Sequence, residues 1–142
     1  MDLSADLYWS DIAYLKACER LRSAGWTPEL IPGLRVARGF ADLGYEEFLI
    51  LPNGKLLSIF SGTMSESIGD AKHLFVVPDI AILLRLIEEA SYRVDQIVNK
   101  EDRSWEVFLS ANQPLDQQSC FEGDTIASAL IEAAISLYKP GI

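Results

Sequence analysis

Two apolar runs, Glu47–Leu51 and Leu56–Phe60, stand on either side of Pro52-Asn53-Gly54-Lys55. Asn-Gly between apolar segments is a strong hairpin signal, because both residues tolerate the positive φ that a tight turn demands. Nearly every position in both runs is apolar. A strand buried on one face alternates polar with apolar; one that is apolar throughout has both faces covered. The hairpin therefore requires helices on one side and further protein, from this chain or a partner, on the other.

The rest of the pattern fits around that hairpin. Ile12, Leu15, Cys18 and Leu21 recur at helical spacing within Ser10–Ser23, with Ser10 as N-cap and Gly25 at the C-terminal stop. A strand is expected at Leu34–Arg38, and Gly39 and Gly44 bracket the turn after it. Ser61–Gly69 reads as an exposed polar loop. A helix opens near Pro78, with Ile82, Leu83, Leu86, Ile87 and Ala90 as its buried face. Tyr92–Val98 reads as a strand with Tyr92, Val94 and Val98 on one side. Ser104–Ser110 alternates, Trp105, Val107 and Leu109 against Glu106 and Phe108. Cys120-Phe121 ends a further short strand, and a last helix, capped by Asp124, carries Ile126, Leu130, Ala133, Ala134 and Leu137. The expectation is one α+β domain over residues 1–142. Helices would pack on a mostly antiparallel sheet of about five strands, in the order α-β-β-β-α-β-β-α.

Composition narrows the function classes. The chain has 142 residues, 49% hydrophobic, enough to build a core without disulfides or metal. Its apolar runs are too short for a membrane helix. Residues 1–10 carry Asp2 and Asp6 and no base, the wrong charge for a secretory or transit signal, so a cytoplasmic protein is expected. Cys18 and Cys120 are the only cysteines, too few for a thiolate metal site, and both are expected as reduced core residues. The net charge is −9. Residues 1–41 hold five acids and five bases, so the remaining sixteen acids and seven bases carry all of it. That sign disfavours phosphate backbones and anionic membranes, and no nucleic-acid or membrane partner is expected.

No catalytic constellation emerges. His73, the lone histidine, could act as a general base with a carboxylate partner such as Asp70. Ser61-Gly62-Thr63 follows a strand and offers backbone N–H groups to an anion, but lacks the glycine pattern and lysine of a phosphate loop. Arg35 and Arg38 lie near glycines, where they would hold a carboxylate or phosphate if they shared a strand face; surface pairing with Asp42 or Glu46 competes with that. The candidate ligand set is thus Arg35, Arg38, Ser61, Thr63 and His73. Neither a metal nor a cofactor is expected. Tyr8, Trp9 and Tyr14 gather at the N-terminus, either as core packing or as a dimer contact.

The C-terminal half, Val77 to Tyr138, resembles small α-β-β-α sandwich domains of phage-encoded proteins of unknown function. The likeness rests on Pro78-Asp79 before a helix, on Trp105, and on the run Glu122-Gly123-Asp124-Thr125-Ile126-Ala127-Ser128-Ala129-Leu130. It implies an accessory protein of a mobile element and transfers no catalytic residues. Three readings stand in order. The first is a non-enzymatic, homodimeric binding module. The second is an inhibitor or immunity-type protein whose acidic surface meets a basic partner. The third is a small-molecule or anion binder, or an enzyme, using the 61–73 loop.

Overall fold

The computed structural model describes residues 11–39, 44–111 and 118–138. The chain is α+β, and its described residues form two antiparallel sheets and three helices. It divides into two compact units, one formed by residues 1–19 and 27–77, the other by 20–26 and 78–142. Helix α1 (Ile12–Ser23) contributes to both.

In the first unit, β1 (Arg35–Gly39), β2 (Tyr45–Ile50), β3 (Lys55–Ser58), β4 (Met64–Ser67) and β5 (Phe75–Val76) form a sheet ordered β4-β3-β2-β1-β5. The hairpin forms as expected: β2 pairs with β3 through Phe48↔Ser58, Leu49↔Leu57 and Ile50↔Leu56. Gly54 alone takes positive φ, +80°, while the Asn53 side chain accepts the Lys55 N–H. Phe48, Ile50, Leu56 and Ser58 are buried on one face and Glu47 on the other, so both faces are covered. The expected loop at 61–69 contains a strand, β4, paired with β3 by Leu57↔Met64 and Lys55↔Ser67. Its composition is polar because it is a sheet edge, half-exposed along most of its length.

The N-cap of α1 is Asp11, whose carboxylate accepts the Tyr14 N–H at 2.8 Å; the expected cap, Ser10, lies outside the described residues. Tyr14, Leu15, Ala17, Cys18 and Leu21 are buried, whereas Ile12, at the first turn of the expected stripe, is exposed. Gly25, at φ +117°, ends the helix with its N–H on the Arg22 carbonyl.

The second unit is built from α2 (Ile80–Glu89), β6 (Tyr92–Asn99), β7 (Trp105–Ala111), β8 (Gln118–Gly123) and α3 (Ile126–Leu137). Its sheet runs β6-β7-β8, with α2 and α3 packed together on one face. Val107 and Leu109 reach that face and are buried; Glu106 and Phe108 point to the other, as the alternation requires. A bulge at Asp95 shifts the phase of β6, so Ile97, not Val98, joins Tyr92 and Val94 on the helix side. Asp79 caps α2 and Thr125, one residue beyond the expected Asp124, caps α3. Gly123 permits a close approach of α3 to β8: a Cβ there would lie 2.5 Å from the Ala129 backbone nitrogen.

Candidate functional site

The two arginines of the candidate ligand set do not converge. Arg35 faces Leu49 and Arg38 faces Glu46 in the β1–β2 register, and an odd spacing on a strand puts them on opposite faces. Each is already held by carboxylates. Arg35 Nη2 lies 2.8 Å from Glu47 Oε2, and the Glu47 side chain is only 3% exposed. Arg38 bridges Glu66 at 2.6 Å and Glu46 at 3.2 Å, with its guanidinium 5.1 Å above the Phe48 ring. Burial works against the Arg38 charge, but the hydrogen bonds to Glu66 and Glu46 outweigh it and raise its pKa. A guanidinium neutralised by two carboxylates is a poor receptor for an outside anion. Tyr45 is tied down in the same unit: its hydroxyl donates to Glu19 Oε1 at 2.7 Å, and burial followed by that bond pushes its pKa up to about 12.

Ser61 and Thr63 share a hydrogen bond of 2.7 Å between their hydroxyls in the tight β3–β4 turn, with Gly62 at φ +71°. Their hydroxyls serve the turn. His73 is exposed and left-handed, at φ +62°, in the connection between β4 and β5. Tyr14 is buried; Tyr8 and Trp9 lie outside the described residues.

The second unit presents two features that sequence patterns do not flag. The first is the face of β6-β7-β8 opposite the helices. Asp95 receives Ser110 and Arg93 and is held below the usual carboxylate range by those bonds, Ser110 first. Lys100 spans Glu106 at 3.4 Å and Glu122 at 3.2 Å. Cys120, exposed rather than in the core, donates its thiol proton to Glu106 Oε2 at 3.0 Å. That bond lowers the Glu106 pKa and raises the Cys120 pKa to about 11. At neutral pH the thiol is therefore protonated and a weak nucleophile. Cross-strand register places these groups together, Glu106 opposite Glu122 and Phe108 opposite Cys120.

The second feature is a cleft of about 540 Å³ where α2 and α3 both end. Leu86 and Leu137 contribute apolar wall, Glu89, Ser91 and Ser136 polar groups, and Tyr92 and Tyr138 aromatic rings. The Tyr138 hydroxyl donates to the Gly25 carbonyl at 3.3 Å, which fixes that ring. Ser91 adopts φ +67° as the residue after the α2 cap, with its N–H on the Glu88 carbonyl. Nothing in the sequence links Glu89 to Tyr138; only the turn at Ser91 and the end of α3 bring them to one cleft.

Among the described residues no group of three or more His, Cys, Asp and Glu is placed to hold a metal ion, and no helix is long and apolar enough to cross a membrane. No family model, curated protein or solved structure matches the chain.

Proposed function

We propose that this chain is a non-enzymatic binding module that works by self-association and protein contact. The observation that carries this reading is the state of its chemistry-bearing groups. Arg35 and Arg38 are neutralised by Glu47, Glu46 and Glu66; Ser61 and Thr63 bond to each other; and the Cys120 thiol is held protonated by Glu106. Groups committed to internal partners support architecture more readily than turnover. What the second unit offers outward is surface: a sheet face bare of helices and an outer strand. Strand β8 runs six residues in regular register, with no bulge and no proline. A regular edge of that kind is a template for pairing with another strand, which favours a homodimer.

Native mass spectrometry of protein freshly purified from cells tests the reading. The expected result is a dimer without adduct. A monomer carrying a stoichiometric small molecule would overturn it and return attention to the segment from Ser61 to His73.

A further inference from the structure

We propose that the cleft at the joint ends of α2 and α3 binds the cationic side chain, lysine or arginine, of a protein partner. The inference rests on the binding-module reading and names the chemistry of one contact.

The argument begins with helix polarity. The C-terminal end of a helix carries a partial negative charge, and proteins commonly place Lys, Arg or His in the last turn to offset it. Helix α1 does so, with Arg20 and Arg22. Helices α2 and α3 carry no basic residue in the last turn, and both ends open on the same cleft. In α3 the Tyr138 N–H takes the Ala134 carbonyl and the backbone then turns extended, at ψ 126°.

Side chains add to the same field. Glu89 lines the cleft, and among the described residues no base pairs with it. None of the described residues that line it is a lysine, arginine or histidine. Tyr92 and Tyr138 supply ring faces, which attract cations through their quadrupoles. Leu86 and Leu137 suit the methylene stem that a lysine or arginine lays along apolar surface. A carboxylate ligand would meet the wrong sign at Glu89, at the two helix ends and at the ring faces. An aliphatic ligand would fill the space but leave Glu89 without a countercharge. The cleft falls within the usual size range of ligand sites, large for a single side chain, so neighbouring partner residues have room beside it.

The test is amide NMR of the full chain titrated with millimolar N-acetyl-lysine methylamide, N-acetyl-arginine methylamide and the neutral N-acetyl-norleucine methylamide. The expected result is saturable shifts at Glu89–Tyr92 and Ser136–Tyr138 with the two cationic amides and none with norleucine. Glu89→Gln, at an exposed helix end, should keep the fold and weaken the lysine amide about tenfold, the loss of one charge-assisted contact. Tyr92→Leu should weaken it further. Equal shifts from norleucine, an unchanged affinity in Glu89→Gln, or shifts confined to other surfaces would overturn the proposal. Those outcomes leave the dimer mass untouched, so the cleft can fail while the binding module stands, and the reverse.

Discussion

The two units of this chain treat charge in opposite ways. In the first, carboxylates are drawn into the sheet: Glu47 is buried against Arg35, and Glu46 and Glu66 clamp Arg38 over Phe48. In the second, the ion pairs of Lys100 with Glu106 and Glu122 and of Arg93 with Asp95 lie on an open sheet face, while the core beneath the helices is apolar. The same residue types are structural in one unit and superficial in the other. An acidic composition therefore says little about function until one knows which acids have been spent inside.

The largest expected effect would break this comparison if it failed. Arg35→Leu leaves the Glu47 carboxylate buried without its guanidinium, and should destabilise the protein by about 3 kcal/mol, the usual cost of removing one member of a buried pair. Lys100→Met removes a cation that meets two carboxylates, yet it should leave the urea midpoint unchanged, because exposed pairs are weak. Equal losses in the two variants would show that the charges of both units carry the same structural weight.

Sequence patterns made the hairpin, the three helices and the alternation of β7 legible, because each depends on local periodicity. Three things escaped that logic. Strand β4 was hidden because an edge strand needs no apolar face, so Met64-Ser65-Glu66-Ser67 looks like loop. The phase of β6 was hidden because the bulge at Asp95 is set by pairing with β7. The cleft was hidden because Glu89, Tyr92 and Tyr138 are brought together by two helix ends far apart in the chain. The supposed arginine site failed for a reason the sequence does contain: residues three apart on a strand cannot share a face.

A second, smaller effect sharpens the contrast by asking what the second unit uses in place of buried charge. Its answer is close packing of α3 on β8, made possible by Gly123. A methyl group there would meet the Ala129 nitrogen at 2.5 Å and Ser128 atoms at 2.7 and 2.8 Å, two of these three being backbone atoms that cannot swing away. Gly123→Ala should cost about 2 kcal/mol by overpacking. Gly39→Ala, in the first unit, meets nothing within 4 Å and should be close to neutral by the same urea measurement.

The smallest effect leaves stability at neutral pH alone and reads the two environments through one cysteine each. Cys18, in the first unit, is fully buried, and its thiol pKa is pushed up chiefly by burial and then by the Glu47 charge. Cys120, in the second, is exposed, and its pKa is pushed up to about 11 chiefly by the hydrogen bond to Glu106. Alkylation of the native protein should therefore modify Cys120 alone, with a rate that climbs toward pH 11 instead of levelling near 9. Glu106→Gln removes the acceptor charge and should shift that profile toward 9, while Cys18 stays silent. The sign of the linked stability follows. An unfolded chain sheds the Cys120 proton near pH 9 and the folded one retains it, so the contribution is complete below 9 and is lost as pH rises through 11. A profile that ignores Glu106 would mean that burial governs both thiols, and the open face of the second unit would then be less open than its exposed ion pairs indicate.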